Sequence, residues 1–275
     1  MELYQLIINQ AANALDEDVG SGDISAELID AESRLETQLL VREDAVLCGC
    51  QWFDEVFRQC DERIAVHWLA GDGDAIAANS VVCEVSGPAR GLLTAERSAI
   101  NFLQTLSGTA TLTRSYAELI RHTGCRILDT RKTIPQLRVA QKFAVLCGGG
   151  SNHRIGLFDA YLIKENHLAA GNGIAPTVAQ ARQRHPDKLL EVEVEDLAQL
   201  HQAIVAGVDR ALLDNFSTAD LRRAVELTHK RIELEASGNI DRQRLLEIAE
   251  TGVDFISIGA LTKNLRAIDF SLRYR

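Results

Sequence analysis

Of the 275 residues, 46% are hydrophobic and 25% charged, the balance of a folded globular chain long enough for one large or two ordinary domains. That balance excludes a disordered tail, and only four prolines exclude a proline-rich linker protein. A formal net charge of −10 argues against nucleic acid and anionic membrane as partners.

No run of 18 apolar residues occurs, so no bilayer span is expected. The opening MELYQLIINQAANALDEDVG lacks a basic stretch and turns acidic, which argues against a secretory signal. The six cysteines (48, 50, 60, 83, 125 and 147) contain no C-x2-C pair and are too sparse for a disulfide scaffold. They read as reduced thiols of a cytosolic protein.

The first ~20 residues form an amphipathic pattern with Leu3, Leu6, Ile7 and Ala11 on one helical face. From about 35 to 90 the pattern turns β-like, in TQLLVRE, AVHWLAGDGDAI and SVVCEVSGPARGLL. Gly71-Asp72-Gly73-Asp74 and Ser86-Gly87-Pro88 read as turns. A helix follows, with Thr94 as its expected N-cap and Ala95, Ile100, Leu103 and Leu106 among its apolar positions. After residue 108, six short apolar runs alternate with helical stretches: CRILDT, AYLIKE, LLEVEVE, RALLDN, RIELEAS and DFISIG. Such alternation predicts parallel strands in βα units, and six units favour a closed or nearly closed barrel. A doubly wound sheet would want an early G-x-G-x-x-G, which is absent.

Each strand ends in polar chemistry, and in a βα barrel that rim carries the site. Asp129-Thr130-Arg131-Lys132, Lys164-Glu165-Asn166-His167, Asp214-Asn215, Ser237-Gly238-Asn239 and Gly259-Ala260 follow successive runs. Caps account for Asp and Asn singly, but not for Lys and Arg at strand ends. Residues 121–167 hold eight basic groups against three acidic ones, an island suited to a small polyanion. A solvated basic helix face is the plainer account. In LEVEVE, a period of two sends Glu191, Glu193 and Glu195 into the lumen, where island cations or a divalent ion would answer them. An edge strand with its acidic side in water is the alternative. Ser237-Gly238-Asn239 before one helix and Gly259-Ala260 before another, with Thr262 and Lys263, suggest backbone N–H cradles for phosphate. Cys147-Gly148-Gly149-Gly150 reads as a mobile loop or as a tight backbone approach to a ligand, the following His153-Arg154 favouring the second.

LDTRKTIPQLR (128–138), CGGGSNHRIGLFDAYLIKENH (147–167), EVEVE (191–195), LLDNF (212–216), LEASGN (234–239) and ISIGALTK (256–263) together resemble the quinolinate phosphoribosyltransferases. TAERSAINFLQTLSGTAT (94–111) and EDVGSGDIS (17–25) resemble the first half of that family. The resemblance implies an α/β fold: an N-terminal α/β sandwich domain (1–108, with tail 267–275 packing back on it) and a C-terminal open βα (TIM-like) barrel (109–266). It implies a cytoplasmic, Mg2+-dependent homodimer that converts quinolinate and phosphoribosyl pyrophosphate (PRPP) to nicotinate mononucleotide, pyrophosphate and CO2, a step of NAD biosynthesis. Arg131, Lys132, His153, Arg154 and Lys164 would bind quinolinate, with Arg97 supplied across the dimer interface. Lys132, Lys164, Glu193 and Asp214 would be catalytic, and Glu193 and Asp214 would hold metal, directly or through PRPP. Lys164, Glu193, Asp214, Ser237, Gly238, Asn239, Gly259, Ala260 and Lys263 would line the PRPP site. Attack by the ring nitrogen on the sugar needs no general base or covalent nucleophile, in keeping with the lack of a conspicuous Ser-His or Cys-His pair. Two positions depart from the family pattern. Gln136 replaces an expected Gly, at a cost of about 1–2 kcal/mol if φ is positive there, and Phe143 replaces Tyr. The competing classes are a nicotinate phosphoribosyltransferase, a binding protein like those associated with molybdenum transport, and a Schiff-base aldolase using Lys164.

Overall fold

The computed structural model describes residues 3–274. The chain divides into two compact units. The first gathers the residues up to Arg114, Val139–Gly149 and those from Asn264 on; the second holds Ser115–Arg138 and Gly150–Lys263.

The first unit contains α1 (Leu3–Val19), β1 (Arg34–Val41), β2 (Ala45–Val46), α2 (Cys50–Cys60), β3 (Ala65–Trp68), β4 (Ala75–Ile76), β5 (Val81–Pro88) and most of α3 (Ala89–Ile120). α1 buries Ile7 and Ala11 as its pattern predicts, whereas Leu3 stays exposed. Thr37, Leu39 and Val41 alternate into the core along β1, and Thr37 Oγ1 satisfies itself on the Val85 carbonyl at 3.0 Å. α2 drives Trp52, Phe53 and Phe57 into the interior, where Phe53 lies 5.2 Å from the Trp68 ring.

Two boundaries differ from the sequence reading. Ser86, Gly87 and Pro88 form no turn; they stay in β5 because Glu36, Leu35 and Arg34 of β1 pair with them. The helix then opens at Ala89, directly after Pro88, a residue preorganised for a helix start. Thr94 is therefore inside α3 and not its cap, and its hydroxyl donates to Asp23 Oδ2 at 2.8 Å.

Later segments complete this unit. β12 (Phe270–Tyr274) pairs antiparallel with β1, giving the sheet order β12-β1-β5-β3. Most of α4 (Arg138–Cys147) also belongs here, with Phe143 placing its ring 5.7 Å from that of Trp52. Gly148 presses so close to α3 that a Cβ would lie 2.5 Å from the Ala110 carbonyl oxygen. The close approach read from the glycine run is thus to a helix backbone rather than to a ligand.

The second unit is a parallel α/β fold. Its strands are β6 (Arg126–Leu128), β7 (Tyr161–Ile163), β8 (Leu190–Val194), β9 (Arg210–Asp214), β10 (Glu233–Ser237) and β11 (Phe255–Ser257), in sheet order β6-β11-β10-β9-β8-β7. The helices between are α5 (Glu165–Ala170), α6 (Ile174–Arg184), α7 (Leu197–Ala206), α8 (Thr218–Thr228) and α9 (Arg242–Ala249), with the short α10 (Ala260–Lys263) after β11. The αL turn at Gly207 ends α7 as predicted. β6 and β7 are the two free edges of an open barrel, and among the described residues no ladder joins them. Instead Ser151 bridges to β6: its N–H donates to the Ile127 carbonyl at 2.8 Å, and its carbonyl accepts from Asp129 N–H at 3.2 Å. The segment Ser151–Arg154 therefore runs beside the open edge.

Register and period together place Arg210, Leu212 and Asp214 of β9 on one face with Glu191 and Glu193 of β8 and Glu233, Glu235 and Ser237 of β10. Val192 and Val194, fully buried, take the opposite face. The lumen of this barrel is consequently polar.

Candidate active site

The six strands deliver their last residues to one end. Lys164 follows β7 as the N-cap of α5, and its own N–H donates to His167 Nδ1 at 3.0 Å. Its Nζ forms an ion pair with Glu193 Oε2 of the adjacent β8. Asp214 closes β9 and accepts from Asn215 Nδ2 at 2.9 Å, while Asn215 N–H donates to the Ser237 carbonyl at 2.9 Å. On the face defined above, Asp214 stands one step beyond Glu193, so a carboxylate pair and a lysine gather over neighbouring strands. Glu195 does not join them: β8 ends at Val194 and Glu195 turns to solvent.

Arg131 and Arg154 form the cationic part. Burial, then the like charge of Arg131, lowers the Arg154 guanidinium pKa; Glu191 and Asp159 oppose this. No carboxylate lies within 4.0 Å of either guanidinium among the described residues. Two arginines that repel one another, neither in an ion pair, suit an anion with more than one charge. Arg138 braces the arrangement, reaching the Arg131 carbonyl at 3.4 Å and that of Ile155 at 3.2 Å. Asp159 ties the loop beyond Arg154 by accepting from the N–H groups of Ile155 (2.7 Å) and Gly156 (2.9 Å).

Lys132, directly after Arg131, packs beside the turn that follows β11. Thr262 Oγ1 donates to its carbonyl at 2.8 Å, and its stem lies against Gly259, where a Cβ would meet Lys132 Cδ at 3.0 Å. The cation thus lies beside the Gly259-Ala260 turn, while Lys263 is exposed at the end of α10. Gly238, at φ +100°, abuts Asn215, where a Cβ would fall 2.2 Å from Oδ1; only glycine fits. The helix beyond it offers less to an anion than its sequence suggests. Asp241 caps α9, accepting from Gln243 and Arg244 N–H at 3.0 and 2.9 Å, so those donors are engaged. Any cradle there is the Ser237-Gly238-Asn239 turn itself. Arg97 is exposed on α3 in the first unit.

Beneath the rim lies a group that the sequence reading only half found. Glu191 and Glu235 are fully buried. His153 Nε2 is 2.8 Å from Glu191 Oε2 and 3.4 Å from Glu235 Oε2, and Arg210 Nη1 is 3.6 Å from the latter. No well-aligned hydrogen bond reaches any of the four carboxyl oxygens. Burial raises the Glu191 pKa to about 7 against the pull of Arg210; burial and then repulsion from Glu191 raise Glu235 to about 8. Burial thus favours the protonated form of both carboxyl groups. LEVEVE signals Glu191, and Glu235 carries the same alternation in IELEAS. The three donor atoms lie within 4.8 Å of one another, but Arg210, also paired with Glu233 at 2.7 Å, already brings a cation to them.

The Ile134–Leu137 turn answers the question raised by Gln136. Leu137 N–H donates to the Ile134 carbonyl at 3.1 Å, with Pro135 second and Gln136 third at φ 64°. This position favours glycine, and Gln136 adopts its conformation rather than rerouting the loop. Gln136→Gly is expected to stabilise the protein by about 0.5–1 kcal/mol, part of the relieved strain being offset by chain entropy. A thermal scan would read a rise of roughly 2 °C; an unchanged or lower midpoint would contradict the strain.

An open parallel barrel whose rim presents arginines outside ion pairs, a lysine–glutamate pair and an aspartate defines a barrel enzyme for small anionic substrates. Residues 23–107 match the family described as quinolinate phosphoribosyl transferase, N-terminal domain, and residues 109–273 match its C-terminal domain. The chain belongs to the quinolinate phosphoribosyltransferase family, whose members are pentosyltransferases. The solved nicotinate-nucleotide pyrophosphorylase of Francisella tularensis is 46% identical, covering 100% of this chain and 98% of its own, with a TM-score of 0.97. A probable nicotinate-nucleotide pyrophosphorylase [carboxylating] of Bacillus subtilis is 38% identical over 93% of this chain and 89% of its own length. The chloroplastic counterpart in Oryza sativa is 40% identical over 94% of this chain and 75% of its own.

Proposed function

We propose that this enzyme joins quinolinate to PRPP and releases pyrophosphate and CO2, forming nicotinate mononucleotide for NAD biosynthesis. The observation that carries the reading is the rim pair Arg131 and Arg154, whose like charges repel and neither of which forms an ion pair within 4.0 Å of a carboxylate among the described residues. Quinolinate brings two carboxylates, and an arginine fork grips a carboxylate through paired hydrogen bonds while staying charged. A nicotinate-specific enzyme would need only one such cation. Pure binding without turnover leaves the Lys164–Glu193 pair and Asp214 without a task.

In this reading Arg131 and Arg154 hold the dicarboxylate, with Lys164 between the two substrates. Lys132, Lys263 and the turns at Ser237-Gly238-Asn239 and Gly259-Ala260 receive the phosphate of PRPP. The pyridine nitrogen attacks C1 of the ribose as the C1–oxygen bond to pyrophosphate breaks. The sugar carries positive charge on the way, which Glu193 and Asp214 stabilise from a fixed position. Once quaternised, the ring accepts the electron pair left when the C2 carboxylate departs as CO2, and a proton replaces it at C2. Positioning supplies much of the acceleration.

Mg2+ fits the donors that Glu193 and Asp214 offer: hard carboxylate oxygens on adjacent strands, suited to an ion that keeps water and phosphate ligands. Bound there, it would offset pyrophosphate charge. A cytoplasmic setting accords with all six cysteines being outside disulfides. The test is CO2 release from carboxyl-labelled quinolinate, expected only with PRPP and Mg2+ both present. Equal turnover of nicotinate would favour the one-carboxylate alternative.

The proposal includes a homodimer in which Arg97 of the partner subunit completes each quinolinate site; its support is the family resemblance together with the exposed place of Arg97 on α3. Mixing Arg97→Ala and Lys164→Ala proteins is then expected to restore activity, to about a quarter of wild type at full random exchange. Absence of rescue after demonstrated subunit exchange would remove the shared site.

A further inference from the structure

The first unit holds a pair of cysteines that no step of the proposed reaction uses. Cys48 follows β2 and is fully buried; Cys147 ends α4 and is partly exposed. Although remote in sequence, their thiols meet in a hydrogen bond, Cys48 S–H donating to Cys147 Sγ. The backbone on either side is held. Gly73 N–H donates to the Leu47 carbonyl at 2.8 Å, and a Cβ on Gly73 would lie 4.0 Å from Cys147 Cα, so a single residue spans the two segments. Cys48 N–H donates to Ser107 Oγ at 2.9 Å, and that hydroxyl donates to the Cys48 carbonyl at 3.2 Å. Arg114 Nη2 reaches the carbonyls of Gly73 and Cys147 at 3.2 and 3.1 Å, with its Nε on that of Gly148 at 3.1 Å.

The pair is chemically asymmetric. The hydrogen bond from Cys48 lowers the Cys147 thiol pKa; burial and the charge of Asp72 oppose it, and the Arg114 guanidinium assists. The same bond, with burial, raises the Cys48 thiol. Cys147 is thus the sulfur that gives up its proton more readily, and it is the one that solvent reaches. Cys60, the other partly exposed cysteine, has its thiol pushed up to about 11 by burial and by Asp61. Cys50, Cys83 and Cys125 are buried, and burial raises all three thiols.

We propose that Cys147 and Cys48 form an oxidative modification site, in which hydrogen peroxide oxidises the Cys147 sulfur and Cys48 closes a disulfide with it. The Cys147 thiolate attacks one peroxide oxygen, the O–O bond breaks, and the sulfur becomes a sulfenic acid while hydroxide leaves. The Cys48 sulfur then attacks the Cys147 sulfur. The S–O bond breaks, and the Cys48 proton departs with that oxygen as water. Peroxide gains the two electrons that the two thiols lose. A dithiol reductant reverses the change by exchange, restoring both thiols and becoming a disulfide itself. A thiol beside the sulfenic acid stops it short of the sulfinic stage, which thiols do not reverse. The site is local to the first unit and independent of which anion the barrel binds.

The full-length reduced enzyme, treated with hydrogen peroxide, blocked with an alkylating agent and mapped by mass spectrometry, tests the site. The free-thiol count is expected to fall from six to four, with Cys48 and Cys147 recovered as one cross-linked peptide pair and dithiothreitol restoring all six. Cys60 should remain free at the same dose. In Cys48→Ala the Cys147 sulfenic acid has no resolving partner, so dimedone should trap it, and longer exposure should carry Cys147 on to sulfinic acid. Cys147→Ala should leave Cys48 reduced. Sulfinic acid at Cys147 in the wild type without a disulfide would overturn the role of Cys48. A disulfide between two chains, a different pairing, or first loss at Cys60 would overturn the site. So would six free thiols after a dose that oxidises free glutathione completely. The wild-type map decides even if a variant does not fold.

Discussion

Arg131→Ala is expected to raise the KM for quinolinate by roughly 100-fold or more while leaving that for PRPP within about threefold. Losing one partner of a desolvated, charge-assisted pair costs about 2–5 kcal/mol, which brackets that factor. The structure adds a second expectation. Arg131 helps to lower the Arg154 pKa by like-charge repulsion, and no carboxylate within ion-pair distance balances either group. Removing Arg131 relieves that repulsion, so the free protein should be no less stable than the wild type. Such an opposition of stability and function is the mark of a residue kept for its ligand. Calorimetric titration with each substrate and a thermal scan check both halves. Parallel loss of quinolinate and PRPP affinity would place Arg131 elsewhere in the chemistry.

Lys164→Ala is expected to lower kcat by about 10²–10³ with smaller changes in either KM, the pattern of an interaction realised in the transition state. Lys164 closes β7, its backbone is held by His167, and its ammonium pairs with Glu193 from the next strand. Side-chain exposures of 43% and 13% make this pair a small contributor to folding, about 1 kcal/mol or less. The variant should therefore fold, so lost activity would report on the site. A kcat within about threefold of wild type would take Lys164 out of the mechanism. Borohydride should trap no adduct at Lys164, in contrast to a Schiff-base aldolase.

Much of the second unit was legible because its signals are local. Short apolar runs ending in Lys, Glu, Asp or Gly specify parallel strands and their rim, and the alternation in LEVEVE correctly sent Glu191 and Glu193 inward. The misses had partners remote in the chain. Pro88 reads as a turn until Arg34 is seen to pair with it. Gly148 reads as a ligand loop until Ala110 is seen against it. Asp241 is the local exception: an ordinary cap, it withdraws the donors of α9 that a phosphate would have used. Glu235 is not legible from IELEAS alone, although it alternates like LEVEVE, because its place depends on His153, some 80 positions earlier in the chain. Arg131 and Arg154 are legible as types from their motifs, whereas the repulsion between their charges belongs to the folded barrel alone.

β12 lies at the edge of the first unit's sheet, antiparallel to β1. About 230 residues separate these two neighbours, and α4 reaches the same unit from mid-chain. A ribosome therefore presents β1 with an unfilled flank until β12 has been made, whereas β7 through β11 can zip together in the order they emerge. The half that is translated first is thus the half that matures last. During that interval its bare strand edge is the surface on which nascent chains are most exposed to mispairing.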